Sequence, residues 1–279
     1  MTQIISIQSQ VFHGHVGNSA AVFPLQVKGI QVAAVPTVLL SNHPHYPTMF
    51  GQVLAPDLVK GLLRGIEDRG LIESSNVLIT GYLGSVENAK IVAAFAERAC
   101  ARNPQLLYVC DPVMGDDDLG LFVKEELVDV FRNCIVPLAH LITPNQYELQ
   151  LLSNQVARSI DNVVSAMGSV CSTGPDRIVV TGCVLEDTAP DIVETISHST
   201  AGVSRIPAPR LSIRPCGTGD LFTALLVARL TAGQDLAQAA AGATGEVFAV
   251  LERTQEEGSS EMCLVCFPFS SNSHQESIL

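Results

Sequence analysis

Charged side chains are scarce in this sequence, and positively charged ones are the scarcest. Charged residues make up 16% of the 279 residues, and 16 Lys and Arg stand against 28 Asp and Glu, for a formal net charge of −12. The positive residues form no basic run, so we expect no nucleic-acid partner. No apolar run reaches the roughly 18 residues that span a bilayer, so we expect no membrane partner either. The hydrophobic share of 47% excludes a wholly disordered chain.

Several catalytic and structural motifs are missing as well. There is no Walker A motif and no G-x-S-x-G motif, which argues against a P-loop enzyme and against a serine hydrolase. The eight cysteines are not expected to form a disulfide framework, because a chain this long and apolar can build a core without one. The first residues predict a strand and not a signal peptide. We therefore expect a cytoplasmic protein.

Short apolar segments alternate with longer amphipathic ones, which indicates strands and helices in turn. The predicted strands are Ile4–Gln8, Gln31–Val35, Val77–Thr80, Leu106–Cys110, His140–Thr143, Arg177–Thr181, Ile192–Ser197 and Cys263–Phe267. The predicted helices are Gly17–Lys28, Pro56–Arg69, Val86–Arg102, Lys124–Asn133, Gln146–Ser153, Ile160–Cys171, Thr218–Thr231 and Leu236–Arg253. This order predicts a three-layer α/β/α fold with a mostly parallel central sheet. Residues 1–269 are predicted as a single domain, and 270–279 as a flexible C-terminal tail.

A glycine-rich turn precedes the apolar helix predicted from Thr218. It contains Gly217, Thr218, Gly219 and Asp220. Glycines let the backbone approach a ligand closely, and the free N–H groups of a first helical turn can bind a phosphoryl group. A carboxylate in the same turn could accept the proton of an attacking hydroxyl. The alternative is an ordinary helix start that Thr218 or Asp220 caps.

Two acidic segments follow predicted strands. Asp111 and Asp116 lie on one post-strand loop, where two carboxylates could share a Mg²⁺ ion; a solvated acidic loop is the alternative. Asn145 and Glu148 follow the next strand. Asn145 could bind a phosphate, and Glu148 could bind a metal-bound water. Their spacing also matches a capping box, which is favoured on these residues alone.

Two further groups could bind metal but are better explained otherwise. His43 and His45 stand in a short loop, and an exposed loop or lid is favoured because the sequence shows no Cys/His quartet. Cys263 and Cys266 form a single C-x-x-C in an apolar stretch, which favours a buried strand over zinc or redox chemistry.

Taken together, the motifs strongly resemble pyridoxal kinases of the ribokinase-like superfamily, from about residue 4 to about residue 267. The segments that carry the resemblance are Ile7-Gln8-Ser9, Gly14-x-Val16-Gly17-Asn18, Phe23-Pro24-Leu25-Gln26, Ser41-Asn42-His43, Gly81-Tyr82, Asp111-Pro112-Val113-Met114-Gly115-Asp116, Thr143-Pro144-Asn145-Gln146-x-Glu148 and Gly217-Thr218-Gly219-Asp220-Leu221. The Asp-Pro-Val-Met-Gly-Asp and Gly-Thr-Gly-Asp segments are typical of the superfamily. The N-terminal segments and Ser41-Asn42-His43 point to pyridoxal kinases within it.

The resemblance implies a role for each matched residue in transfer of the γ-phosphate of ATP to a B6 vitamer. Asp220 would be the general base, and Gly217, Thr218 and Gly219 the anion hole. Asp111, Asp116 and Glu148 would organise Mg²⁺, its waters and a monovalent cation, K⁺ or Na⁺. The ATP phosphates would lie along Thr143, Asn145, Thr181 and Gly182, and the pyridine ring would contact Ser9, Val16, His43 and Tyr82. A cytoplasmic homodimer is also implied.

The sequence departs from the family pattern at a few positions. Pro44-His45 replaces the usual Thr-Gly, Gln10 replaces a His, and Phe122 stands where a Tyr is frequent. A hydroxymethylpyrimidine kinase or a sugar kinase of the same fold remains an alternative, although the pyrimidine kinases tend to carry Cys where this chain has Asp220. A catalytically weak B6-binding protein is a third possibility.

Overall fold

The computed structural model describes residues 1–265 and 267–269. Its strands are β1 Gln3–Val11, β2 Gln31–Leu40, β3 Gly51–Val53, β4 Val77–Thr80, β5 Leu107–Cys110, β6 Gly115–Asp116, β7 Gly120–Leu121, β8 Leu141–Ile142, β9 Arg177–Cys183, β10 Ile192–Ser199 and β11 Gly202–Pro209. Its α-helices are α1 Asn18–Val27, α2 Pro56–Asp68, α3 Leu71–Ser74, α4 Val86–Arg102, α5 Glu125–Val130, α6 Gln146–Ser153, α7 Ile160–Cys171, α8 Thr218–Thr231 and α9 Leu236–Glu256. The segment 131–138 continues α5 as a π-helical and then a 3₁₀ turn.

Nine strands form the central sheet, in the order β11-β10-β9-β8-β5-β4-β1-β2-β3. The six strands from β9 to β2 run parallel, whereas β10, β11 and β3 pair antiparallel at the two edges. β6 and β7 form a separate small hairpin. The predicted α/β fold with a mostly parallel sheet is confirmed.

Alternate residues of the central strands point into two separate cores. Leu78 and Tyr108 belong to the core beneath α2, α4, α5, α6 and α7, while Ile79 and Val109 belong to the core beneath α1, α8 and α9. Both faces of the parallel strands are therefore buried, which explains their near-continuous apolar sequences. None of the helices in the described residues combines the length and apolar character needed to cross a membrane.

The predicted secondary structure is wrong in some details. The sequence predicts no strand at Gly51–Val53, in the hairpin β6–β7 or at Gly202–Pro209. The last of these forms edge strand β11, where two prolines are tolerated because no further strand needs their N–H groups. The predicted strand Cys263–Phe267 is irregular at its described residues. Its apolar Leu264 is buried in the core beneath α1, α8 and α9, so that packing accounts for the pattern. Cys266 and the predicted tail 270–279 lie outside the described residues.

Candidate active site

The predicted site residues collect at the carboxyl edge of the parallel strands. Ser9 lies in β1, Asp111 follows β5, Thr143 follows β8 and Thr181 lies near the end of β9. These strands are parallel members of one sheet, so their carboxyl ends meet along one edge. Ligands of open α/β sheets bind at this edge.

The glycine turn opens α8 without any side-chain cap. Gly217 precedes the helix in the left-handed conformation, with φ 84°, and no side chain accepts a hydrogen bond there. The proposed capping role of Thr218 or Asp220 is therefore wrong. A Cβ atom at Gly217 would collide with the carbonyl oxygen of His15, so the α8 turn lies directly against the loop after β1. The first-turn N–H groups have no partner within the helix and remain available to an anion.

A second glycine holds the loop after β1 in place. Gly17 has φ 55°, and a Cβ atom there would collide with Ser9. A backbone hydrogen bond links Gly17 to the carboxylate of Asp220. The loop between β1 and α1 therefore contacts the predicted base directly, and the close packing requires glycine on both sides.

A threonine in α8 connects Asp111 to Thr143. The Thr223 hydroxyl donates to Oδ2 of Asp111 at 3.3 Å and lies 2.8 Å from the Thr143 hydroxyl. All three side chains are buried. A Cβ atom at Gly219 would lie 3.8 Å from Oδ2 of Asp111, so the α8 turn and Asp111 share one cleft.

Glu148 and Asn145 form the capping box that their spacing indicates. The Asn145 side chain accepts from the Glu148 N–H at 2.9 Å, and Glu148 Oε2 accepts from the Asn145 N–H at 2.9 Å. The other oxygen, Oε1, accepts from the N–H groups of Met114 at 2.9 Å and Gly115 at 3.4 Å. Glu148 thus ties α6 to the loop that carries Asp111 and Asp116.

The carboxylates of Asp111, Glu148 and Asp220 are close enough to interact electrostatically. Burial raises the pKa of each: to about 6 at Asp220, to about 7 at Glu148 and well above the ordinary range at Asp111. The charge of Asp220 raises the pKa of Asp111 and of Glu148 further. Hydrogen bonds from three backbone N–H groups act in the opposite direction at Glu148. Asp111 and Glu148 are buried and Asp220 is partly buried, and such mutually repelling carboxylates suit a site that binds cations.

The raised pKa of Glu148, caused mainly by burial, predicts a pH dependence of stability in the metal-free, nucleotide-free protein. Between the ordinary pKa of a glutamate, about 4.3, and the raised pKa of Glu148, about 7, the folded protein holds a proton that the unfolded chain releases. The free energy of unfolding should therefore fall as pH rises through this window. When denaturant unfolding is measured at several pH values, the free energy of unfolding should fall less steeply with pH for Glu148→Gln than for wild type. Glu97→Gln, at an exposed glutamate of α4, is the control and should keep the wild-type slope; an unchanged slope in Glu148→Gln would contradict the prediction.

Asp116 occupies a different position from the other two predicted metal residues. Its Oδ1 accepts from the N–H groups of Asp118 at 3.0 Å and Leu119 at 2.7 Å, which closes the β6–β7 hairpin. Among the described residues, Asp111, Asp116 and Glu148 do not form a group whose ligand atoms lie within 4.8 Å of one another. The three therefore surround the cleft but do not converge on one point.

The residues predicted for the ATP phosphates lie beside this cleft. Asn145 and Thr181 pair as an isolated parallel bridge, and the Thr181 N–H donates to the Pro144 carbonyl at 3.0 Å. Gly182 has φ 66°, and nothing lies near its Cα on the side where a Cβ would stand. Thr143 and Asn145 thus follow β8, and Thr181 and Gly182 lie near the end of β9; these are the next two strands after β5 on one side of the sheet.

The residues predicted for the vitamer lie around the other end. Ser9 is buried beneath Gly17, and Val16 belongs to the same loop. His43 is 5% exposed, and its Nε2 lies 2.7 Å from Oε1 of Glu261. Tyr82 is held at the backbone, where its carbonyl accepts from the Thr37 hydroxyl at 2.7 Å.

Sequence reasoning missed two contributors to the site, Glu261 and Thr223. Glu261 accepts hydrogen bonds from His43 and from the Tyr46 hydroxyl. Burial acts to raise the pKa of Glu261, but these hydrogen bonds outweigh it and the pKa lies below its ordinary value. Thr223 joins two strand-end residues. A polar residue in the apolar first turns of α8 was the signal for Thr223, whereas nothing near Glu261 in the sequence indicates a site.

Comparisons with known proteins bear on the family and the fold of the chain. The family model described as phosphomethylpyrimidine kinase matches residues 74–262. Pyridoxine/pyridoxal/pyridoxamine kinase of Bordetella avium is 38% identical over 261 residues, which cover 94% of this chain and 88% of the relative. Pyridoxal kinase PdxY of Rubrobacter xylanophilus is 39% identical over 263 residues, with 94% and 91% covered.

Solved structures extend the agreement to the fold. Pyridoxal kinase from Leishmania donovani in complex with ADP and pyridoxine superposes with a TM-score of 0.88 at 29% identity, covering 99% of this chain and 97% of that one. The fold and these relatives define a small-molecule kinase with the ribokinase-like architecture. More closely, the chain belongs to the pyridoxal kinase family.

Proposed function

We propose that the chain transfers the γ-phosphate of ATP to the 5′-hydroxyl of pyridoxal, and also of pyridoxine and pyridoxamine. The observation that carries the proposal is the position of Asp220: its carboxylate stands among the free N–H groups that open α8 and faces Asp111 and Glu148. Relatives named for this activity match nearly the whole chain.

Asp220 acts as the general base in this proposal. Because its pKa is about 6, the carboxylate is ionised at neutral pH. This pKa is also close enough to neutral pH for the carboxylate to accept a proton efficiently. The backbone hydrogen bond from Gly17 lowers the pKa of Asp220 and so favours its ionised form. The base takes the proton of the 5′-hydroxyl as the oxygen attacks, and no phospho-enzyme forms.

Gly217, Thr218 and Gly219 supply the anion hole. Their first-turn N–H groups and the positive end of the α8 dipole stabilise the charge that develops on the transferring phosphoryl group. The tight contact between Gly217 and His15 keeps this turn from moving, so the N–H groups are oriented before substrate binds.

Magnesium and a monovalent cation fit the acidic side of the cleft. The buried carboxylates of Asp111 and Glu148 and the partly buried one of Asp220 have excess negative charge that a cation relieves. Asp111, Asp116 and Glu148 would hold Mg²⁺ largely through its waters, since their carboxylates do not converge. Bound there, Mg²⁺ would neutralise charge on the ATP phosphates.

The two substrates take opposite sides of Asp220. Thr143, Asn145, Thr181 and Gly182 lie along the ATP phosphates. Ser9, Val16, His43 and Tyr82 contact the pyridine ring, with His43 oriented by Glu261. We further propose that the protein is cytoplasmic and forms a homodimer, as the family resemblance implies.

Phosphorylation of a hydroxymethylpyrimidine is the second candidate, because the matching family model is described as phosphomethylpyrimidine kinase, which names a related pyrimidine. ADP release should be measured with pyridoxal, pyridoxine, pyridoxamine and hydroxymethylpyrimidine, each with and without Mg²⁺. We expect the largest kcat/KM with a B6 vitamer, and loss of turnover without Mg²⁺. A larger kcat/KM with the pyrimidine would replace the proposed substrate, and tight pyridoxal phosphate binding without ADP release would indicate a binding protein.

A further inference from the structure

Two histidines of the loop after β2 lie beside the cysteine that precedes the α8 turn. The Nδ1 atom of His45 is 3.2 Å from the Sγ atom of Cys216, although 171 residues separate them in sequence. One ligand atom from each of His43, His45 and Cys216 lies within 4.8 Å of the others. In the part of the chain that the structure describes, no other group of three or more His, Cys, Asp or Glu meets this condition.

Glu261 orients the His43 ring in the way that carboxylates orient metal-binding histidines in other proteins. The Nε2 atom of His43 lies 2.7 Å from the carboxylate of Glu261, so Nε2 carries the proton and Nδ1 keeps its lone pair. Metal-bound histidines typically donate their second ring N–H to a carboxylate in this way. The Nδ1 atom faces only the His45 backbone N–H, at 3.3 Å, which is a long contact that a stronger ligand can displace.

Pro44 helps to hold the two imidazoles on the same side of the loop. The Tyr46 N–H donates to the His43 carbonyl at 3.4 Å, which closes a turn with Pro44 at its second position. The fixed φ of proline suits that position. The two rings stand nearly perpendicular, at 89°, with their centroids 5.7 Å apart. The Pro-His substitution in the family loop thus supplies both a second ligand and a stiffer turn.

The spacing fits zinc after a small adjustment. Tetrahedral Zn²⁺ with bonds of about 2.3 Å to sulfur and about 2.0 Å to nitrogen separates these atoms by roughly 3.5 Å. The His45–Cys216 separation is 3.2 Å and neither of the other two exceeds 4.8 Å, so shifts of about 1 Å within the set bring all three atoms to zinc spacing. Imidazole and thiolate ligands select Zn²⁺, whereas Mg²⁺ requires oxygen.

We propose that His43, His45 and Cys216 bind one Zn²⁺ ion, at a site distinct from the carboxylate cleft that serves the magnesium nucleotide. Three protein ligands leave the fourth tetrahedral position to water. The site stands at the mouth of the cleft, because Cys216 adjoins Gly217 and His43 adjoins the loop after β1 through Gly14.

Cobalt is the spectroscopic probe for this site. Tag-free wild-type protein, reduced with a phosphine and free of nucleotide, should be titrated with Co²⁺ and followed by the thiolate-to-cobalt charge-transfer band. We expect one Co²⁺ per chain, with the band removed by added Zn²⁺. Cys216→Ser and His45→Asn should both abolish the band, and Glu261→Gln should weaken binding by about 10- to 100-fold. Cys134→Ser, at an exposed cysteine elsewhere, is the matched control and should keep the band.

Several outcomes would overturn the site. They are absence of the band in wild type, its survival in Cys216→Ser or His45→Asn, and its loss in Cys134→Ser. Because His45 is exposed, His45→Asn should leave the fold intact even if Cys216→Ser, next to Gly217, does not.

A bound Zn²⁺ should also prevent the vitamer from binding, because the metal and the pyridine ring would both use His43. This prediction rests on the proposed function, which places His43 against the pyridine ring. Pyridoxine binding, measured without nucleotide, should weaken when Zn²⁺ is added to wild type and should be unaffected in His45→Asn. Equal weakening in both proteins would reject the competition. If wild type without Zn²⁺ binds no pyridoxine, the proposed function fails, and the cobalt titration still decides the metal site.

Discussion

Asp220→Asn should lower kcat for pyridoxal phosphorylation by about 10²- to 10⁴-fold, the usual contribution of a positioned general base. Asparagine keeps the shape of the side chain but cannot accept the proton of the 5′-hydroxyl. Nucleotide binding should survive or tighten, because the change removes a negative charge that faces Asp111 and Glu148. Steady-state ADP release and direct ADP titration separate the two effects.

Asp235→Asn is the matched control for this variant. Asp235 also stands at a helix start, where its side chain accepts from the Gln238 N–H at the N-terminus of α9, but it lies outside the cleft. It should lose some stability, of the order of 1 kcal/mol for a helix cap, and keep its kcat. A kcat near wild type in Asp220→Asn would remove the assigned base and, with it, the proposed mechanism.

The side chains that the sequence placed correctly are those whose position follows from a regular element. Asp111 and Thr143 had to lie near each other, because each follows a buried strand and parallel strands share their carboxyl edge. The capping box of Asn145 and Glu148 was predictable from spacing alone. The sequence left open whether Glu148 caps the helix or belongs to the cleft. In the structure Glu148 does both: it forms the capping box, and the charge of Asp220 raises its pKa.

Other features depend on contacts between distant segments, for which a single sequence has no pattern. Glu261 meets His43 and Tyr46 across more than two hundred residues, and Cys216 meets His45 across 171. The proposed ligands His43, His45 and Cys216 therefore form no local Cys/His motif that the sequence could show. The strand predicted at Cys263 fails for a related reason, since apolar residues also pack in irregular backbone.

Gly217→Ala should reduce kcat by about 10²-fold or more and also destabilise the fold. Any L-residue at φ 84° costs about 1–2 kcal/mol, and here the added Cβ also collides with the His15 carbonyl. Either the loop after β1 or the first turn of α8 must move, which displaces the anion hole from Asp220. A misplacement of about 1 Å at a reacting centre is enough for a loss of this size.

Gly233→Ala separates the two causes. Gly233 follows α8 with φ 88°, nearly the same backbone conformation, but nothing lies within 4 Å of the Cβ position. It should share the backbone cost of about 1–2 kcal/mol in urea unfolding and keep wild-type kcat. The difference between the two variants then measures the close approach of Gly217 to His15 alone. Equal kcat in both would mean that the α8 turn tolerates displacement, and that rigid main-chain N–H groups are not what stabilises the transferring phosphoryl group.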